Sequence, residues 1–296
     1  PKIIMQAFAD IKPHIIIAVP LIIEKVYKSK LKPIIDRNKM IMSLPIIDKV
    51  IQKKILKELT AAFGGNFYEV IIGGAAFNPE VEAFFKKIGF PLTVGYGMTE
   101  CAPIITYADW KEARLTSCGR EVMNMKVRID SSDPENIPGE IQVSGPNVFL
   151  GYYKNEQATA EVTTDDGWFR TGDMGIIDKD GFLYIRGRSK CMILGPSGQN
   201  IYPEEIEAVV NNVNYVVDSL VIEDNGNLVS LIFPDYHQAE LDGLSKEQLE
   251  ERINAALPEI NKQVPNYAKI SKIEFLPEDF ERTPKRSIKR YLYQRN

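Results

Sequence analysis

The sequence predicts an α/β domain followed by a smaller α+β domain, and three observations carry that reading. Up to residue 100, short apolar runs bounded by proline or glycine alternate with charged stretches of helical period. After Cys118 the pattern turns to short strands separated by turns. Beyond Arg188, amphipathic helices and strands alternate over a stretch the size of a small domain.

The elements follow in order. "PHIIIAVP" (13–20) is an apolar run closed by prolines, as a buried strand should be, with His14 as a hydrogen-bonded structural histidine. "IIIAVPLII" (15–23) reads as that strand meeting a loop at Pro20. In "DKVIQKKILKELTAAF" (48–63), Val50, Ile51, Ile55, Leu56 and Leu59 mark the apolar positions of a helix. "YEVIIGGAAFNPEVEAFFKKIGFPLTVGYG" (68–97) reads strand, glycine turn, helix, strand, with Asn78 as N-cap, Pro79 at the first helical position and Gly89 as the stop. Such a unit builds a parallel sheet.

"MKVRI" (125–129) and "GEIQVSG" (139–145) are short strands, and "MGIIDKDGFLYIRGR" (174–188) is a hairpin turning at "DKDG". In the second domain "YPEEIEAVVNN" (202–212) is a helix opened by Pro203, "VVDSLVIED" (216–224) and "NLVSLIFPD" (227–235) are strands, "SKEQLEERINAAL" (245–257) is a helix, and "YAKISKIEFLP" (267–277) is a strand. The expected division is 1–187 and 188–296.

Composition excludes several function classes. The 296 residues are 44% hydrophobic and 26% charged, as in an ordinary globular protein. A net charge of -4 argues against nucleic-acid binding. The three cysteines, Cys101, Cys118 and Cys191, lack CxxC spacing, which fits a reducing cytoplasm and excludes a disulfide framework or cysteine-rich zinc site. Neither histidine, His14 nor the exposed His237, sits near a nucleophile motif, so histidine-assisted nucleophilic catalysis is not expected. No run approaches the roughly 18 apolar residues of a membrane span. The chain opens on Pro1 rather than Met, already inside a domain by its pattern, and so reads as a fragment.

Five motifs occur in order: "GGAAF" (73–77), "GYGMTE" (95–100), "GWFRTGD" (167–173), "RGRSK" (186–190) and "GQNIYPEEIE" (198–207). Read singly, each has a plain structural explanation. "GGAAF" makes a tight strand-to-helix turn, Thr99 a cap, Glu100 a solvated acid and Asp173 a turn residue; Arg188 sits on the surface and Trp168 in the core. Together, at this spacing and over essentially the whole chain, they resemble the adenylate-forming superfamily of acyl-CoA synthetases, nonribosomal adenylation domains and luciferases. "VPLIIEKVY" (19–27) is similar to a stretch of fatty acyl-CoA ligases and tilts the resemblance to the long-chain branch.

The resemblance implies a fold of a large adenylate-forming domain, present here in part, and a small mobile C-terminal domain. It implies that a fatty acid is activated with ATP as acyl-adenylate and then passed to CoA, with Mg2+ as the metal. Gly74, Ala75, Ala76 and Tyr96 would form the adenine pocket, where small residues admit the backbone and the Tyr96 ring can present a face. Gly97 belongs to the same nucleotide loop, Thr99 would donate to a phosphate oxygen, and Glu100 would be the Mg2+ ligand. Asp173 would accept from the ribose diol and Arg188 add a charge-assisted bond. Lys190 falls at the hinge position, and the loop containing Gly195, Ser197 and Gly198 would meet the pantetheine of CoA.

The chain departs from the family pattern twice. A phosphate loop of the "SGTTGxPKG" kind is nowhere in it, which implies that an N-terminal part of the same protein carries that loop and much of the acyl pocket. The fragment alone is therefore expected to be inactive. The family's C-terminal lysine position is Ser287, in "TPKRSIKRYLYQ" (283–294). Serine carries no charge to meet the developing anion. Lys285 and Lys289 flank it at two residues, on its own face if the backbone is extended, and Lys289 is the expected replacement. Other acids (an aryl acid), another acceptor (acyl-carrier protein), or a non-catalytic nucleotide- or acyl-CoA-binding homologue remain as alternatives. Peripheral association with a membrane surface also stays open.

Overall fold

The computed structural model describes residues 2–38, 45–283 and 287–295. The chain divides into two compact units, Pro1–Thr171 with Gly175–Ile185, and Gly172–Met174 with Arg186–Asn296.

The first unit opens with helix α1 (Lys2–Ile11), strand β1 (Ile15–Ala18), helices α2 (Pro20–Val26) and α3 (Lys32–Asn38) joined by a π-turn, and α4 (Pro45–Ala62). Strand β2 (Glu69–Ile72), α5 (Pro79–Lys87) and β3 (Leu92–Val94) follow. The three strands form a parallel sheet in the order β1-β2-β3, with Ile16 opposite Val70 and Val70 opposite Leu92. The expected strand–helix–strand unit is thus present. Asn78 caps α5 by accepting from the backbone N–H of Glu80 (2.9 Å) and Val81 (3.2 Å), with Pro79 behind it. Gly89, at φ +73°, releases the chain into Phe90. Phe63, Phe85 and Phe90 pack ring edge to ring face at 5.1–5.5 Å and fill the space between helices and sheet.

Three expectations at the start of the chain are corrected. Pro20 does not begin a loop: it occupies the first turn of α2, where its missing N–H costs nothing. The β1 run is not buried on both faces; Ile16 is enclosed while Ile15 and Ile17 are 51% and 80% exposed, and His14 is exposed too. The exposed Ile15 and Ile17 share one face of β1, and no described residue covers that face. On α4, Ile55 and Leu59 are buried but Val50 points outward, 63% exposed.

A small antiparallel sheet then runs β4 (Tyr96–Gly97), β5 (Ile104–Tyr107) and β6 (Arg120–Glu121), which the sequence pattern did not suggest. Strands β7 (Lys126–Asp130), β8 (Gly139–Ser144), β9 (Phe169–Ile177) and β10 (Leu183–Arg188) make a four-stranded sheet in the order β10-β9-β8-β7, with α6 (Glu156–Glu161) between β8 and β9. The β9–β10 hairpin turns where expected. Asp178 Oδ1 accepts from Asp180 N–H (3.0 Å) and Phe182 N–H (2.9 Å), and Gly181 supplies φ +83°. Trp168 is half-buried rather than core, with the Arg128 guanidinium 4.4 Å over its ring.

The second unit begins with a short hairpin, β11 (Ile193–Leu194) and β12 (Asn200–Ile201), then α7 (Pro203–Val210). Strands β13 (Val216–Asp224), β14 (Asn227–Pro234) and β15 (Ile270–Phe275) form a sheet in that order, the first pair antiparallel and the second parallel. Helices α8 (Tyr236–Leu241), α9 (Lys246–Ala255) and α10 (Leu257–Gln263) lie between β14 and β15 in the chain. Ser245 and Gln248 close a reciprocal capping box on α9. Ile206 and Val210 of α7, Leu249 and Ile253 of α9, and Ile260 of α10 share one core with Val221 and Ile232. This is the α+β architecture expected for the C-terminal region. Among the described residues no helix is long and apolar enough to cross a membrane.

Candidate active site

In the first unit the site is built where β2 and β3 end, the edge of a parallel sheet at which α/β folds place their ligands. Gly73 N–H donates to Ala18 O (3.1 Å) and Gly95 N–H to Ile72 O (2.9 Å), so both loops leave the sheet in step. They run close together: a Cβ on Gly73 would lie 3.4 Å from Gly95 O. Gly74 adopts φ +88°, and Gly74, Ala75 and Ala76 are all exposed, so the backbone of this turn is accessible. Tyr96 is only 8% exposed, and most of its ring belongs to the core. A flat ligand here meets the open turn more than an open tyrosine face.

Gly97 has no room for a side chain, since a Cβ would fall 2.1 Å from Pro103 O. That close approach lets Met98 N–H donate to Pro103 O (2.8 Å) and closes a turn carrying Thr99, which is exposed, and Glu100, which is half-buried. Residues 147–152 lace this turn down. Asn147 Nδ2 donates to Cys101 O (2.6 Å) and Ile104 O (3.0 Å), and Phe149 N–H donates to Glu100 O (2.8 Å). The Tyr152 hydroxyl donates to Glu100 Oε1 (3.1 Å). Neither Asn147 nor Tyr152 stood out in the sequence; the only local hint was the glycine before Tyr152.

The donor set at Glu100 suits one metal class. Among the described residues no three His, Cys, Asp or Glu side chains gather as a metal cluster. A cation at Glu100 would therefore take most of its ligands from water and phosphate oxygens, which is the habit of Mg2+. Cys101 adds no nucleophile, because burial, and secondarily the Glu100 charge, push its thiol up to about 11.

The second unit holds the remaining candidates. Asp173 lies within β9 rather than after a strand, and pairs with Arg188 (Oδ1–Nη1 3.1 Å). The aspartate side chain is 14% exposed against 53% for the arginine, so Arg188 covers the carboxylate from the solvent side. Lys190 sits in a single 3-10 turn, Ser189–Cys191. Gly195, Ser197 and Gly198 form the tip of the β11–β12 hairpin, where Gly195 N–H donates to Gln199 O (2.8 Å) and Gly198 takes φ +80°.

Ser287 and Lys289 flank Ile288, which forms an antiparallel bridge with Arg282 and packs inward beside Phe280. The local backbone is extended, and Ser287 is exposed. Lys289 is not free: its Nζ pairs with Glu281 at 3.0 Å. Lys285 lies outside the described residues. Behind this segment Arg290 pairs with buried Glu207 and approaches Glu204 at 3.8 Å. Burial pushes Glu207 up to about 7, against the pull of Arg290 and of the Val221 N–H it accepts at 2.7 Å.

Comparison with known proteins bears on the family and the fold. Residues 1–153 match the family described as AMP-binding enzyme, and residues 192–296 match the AMP-binding enzyme C-terminal domain. The long-chain-fatty-acid–CoA ligase FadD15 of Mycobacterium bovis is 29% identical over 98% of this chain and 54% of its own length. The 2-succinylbenzoate–CoA ligase of Bacillus cytotoxicus is 38% identical over 57% of this chain and 37% of its own. Among solved structures, ATP-bound MatB from Rhodopseudomonas palustris aligns with a TM-score of 0.72 at 23% identity, covering 99% of this chain and 52% of that one. The chain thus spans about half the length or less of the curated relatives it matches. With both family descriptions matched in chain order on the expected fold, the chain belongs to the AMP-binding enzymes.

Proposed function

We propose that this chain is the C-terminal part of an AMP-forming acyl-CoA ligase whose acid substrate is a long-chain fatty acid. The observation that carries the reading is the adjacency of the 73–77 and 95–100 loops at the sheet edge, with Glu100 held in place beside them. The fatty acid carboxylate attacks the α-phosphate of ATP and pyrophosphate leaves; the CoA thiol then displaces AMP. Gly74, Ala75 and Ala76 admit the purine, Tyr96 floors its pocket, Gly97 shapes the loop and Thr99 donates to a phosphate oxygen. Mg2+, when bound at Glu100, supplies charge neutralisation of the phosphates. Asp173 accepts from the ribose diol while Arg188 neutralises nearby charge. A hinge at Lys190 then lets the chain beyond it turn and bring Gly195, Ser197 and Gly198 to the pantetheine.

The fatty-acid assignment is supported by the similarity to FadD15 along 98% of the chain, against 57% for the succinylbenzoate ligase. The test is ATP–pyrophosphate exchange by the full-length protein with long-chain fatty acids, 2-succinylbenzoate and an aryl acid. Exchange led by the fatty acids is expected. Exchange led by another acid would reassign the substrate, and nucleotide binding without any exchange would make the protein a non-catalytic homologue.

Replacing Asp173 addresses the nucleotide site directly. Asp173→Ala removes a charged acceptor whose hydrogen bonds are worth about 1.5–3 kcal/mol, so nucleotide affinity should fall roughly ten-fold or more. Calorimetric titration checks this, and an unchanged affinity would return Asp173 to a structural role as the Arg188 partner.

A further inference from the structure

We propose that Tyr152 is a positioning residue for Glu100, holding its carboxylate as a one-oxygen ligand and so favouring Mg2+ over Ca2+. The inference rests on the reading of Glu100 as the metal ligand given above.

The geometry begins in the backbone. Gly151 adopts φ +145°, and a Cβ there would strike Thr159, 2.7 Å from Cγ2. Glycine therefore allows the chain to press against α6 and turn Tyr152 inward. Thr159 Oγ1 accepts from Tyr152 N–H (2.9 Å) and donates to Asn155 O (2.9 Å), while Asn155 caps the same helix through Ala158 N–H (3.0 Å). The tyrosine backbone is thereby fixed to a capped helix. Its ring meets Phe149 edge to face at 4.8 Å, and Phe149 N–H is bonded to Glu100 O. With ring and backbone both held, the hydroxyl reaches Glu100 Oε1 from a fixed direction.

The chemical consequence lies in the carboxylate. A hydrogen bond to Oε1 engages one of that oxygen's two lone pairs and fixes the carboxylate plane, which weakens Oε1 as a second ligand beside Oε2. Mg2+ demands compact octahedral geometry, commonly with one or two carboxylates and several waters. Ca2+ is larger and accepts both oxygens of one carboxylate in a looser shell. A Glu100 tied at Oε1 serves the first arrangement and hinders the second. Groups that orient a ligand in this way typically change metal affinity 10–100-fold when removed.

Tyr152→Phe keeps the ring on Phe149 and deletes only the hydroxyl. In the full-length protein, the Mg2+ concentration giving half-maximal pyrophosphate exchange should rise about ten-fold. Ca2+ should compete more effectively, and the relaxation signal of Mn2+ bound with a non-hydrolysable ATP analogue should weaken. Metal-free AMP affinity and the thermal midpoint should stay as they are, which separates positioning from folding. Thr159→Val, which frees the tyrosine backbone without touching the ring, should shift the metal demand in the same direction by less.

Glu100→Gln serves as the control. If it raises the metal demand while Tyr152→Phe and Thr159→Val do not, Tyr152 does not position the ligand and the inference fails. If Glu100→Gln leaves metal demand and Mn2+ binding unchanged, the reading of Glu100 itself fails and the inference falls with it.

Discussion

Lys289→Ala should slow the adenylation half-reaction of the full-length protein by roughly 10²-fold, the typical cost of losing one charge partner of a developing anion. Ser287 stands where the family pattern has a lysine and brings no charge to that position. Ile288 turns inward from its bridge with Arg282, Ser287 beside it is exposed, and Lys289 sits in a tight turn at φ -76°, ψ 74°. Lys289 now rests on Glu281 and must exchange that partner for the carboxylate and α-phosphate. Glu281→Gln should therefore quicken adenylation modestly. Thioester formation from pre-made acyl-adenylate should be spared by Lys289→Ala, which a rapid-quench comparison of the half-reactions resolves. Equal loss in both would indicate misfolding. Normal rates in both Lys285→Ala and Lys289→Ala, with a faster rate in Ser287→Lys, would show that no lysine substitutes at this position.

The second large effect is on stability. Arg290→Met should destabilise the second unit by about 1–2 kcal/mol near pH 8, because it removes the charge that holds down the pKa of the buried Glu207 carboxyl. Glu207 is 8% exposed and faces Arg290 from α7, and its other oxygen accepts from Val221 N–H on β13. Burial raises its folded pKa to about 7 from a usual 4.5, so the neutral form is favoured in the fold. A group raised in this sense contributes stability that is complete below its unfolded pKa and lost as pH climbs through the folded one. Without Arg290, which lowers it, Glu207 moves higher still and the loss continues further up the scale. The deficit of the variant should thus be small near about pH 5 and large near about pH 8. Native-state hydrogen exchange at Val221 N–H measures it. Adding Glu207→Gln should recover part of the loss at the higher pH, and a pH-independent deficit would refute the account.

What was legible in the sequence was what short-range chemistry decides. Asn78 with Pro79, Gly89 and the "DKDG" turn each fix their element within a few residues, and the structure repeats them. The parallel sheet followed from the strand–helix–strand unit. Burial of β1 was misjudged because it depends on which faces other elements cover: β1 and β3 are both edge strands, yet Leu92 and Val94 are buried while Ile15 and Ile17 are exposed. Pro20 was ambiguous, since it ends a strand and starts a helix with equal ease. The candidate loops were found by motif, but their supports were not. Tyr152 lies 52 residues from Glu100 and Arg290 lies 83 from Glu207, so no local pattern announces either bond.

The lacing of the 98–103 turn bears on the thermodynamics of whatever binds there. Four hydrogen bonds from Asn147, Phe149 and Tyr152 hold it, and the close approach of Gly97 to Pro103 removes slack at its base. Ordering a loose loop costs about 1–2 kcal/mol per residue in backbone entropy alone. Here that ordering is complete when the chain folds, so under the proposed reading a phosphate group would meet donors already in place. Association at this turn then gains little from induced folding and shows only the modest heat-capacity change of surface desolvation.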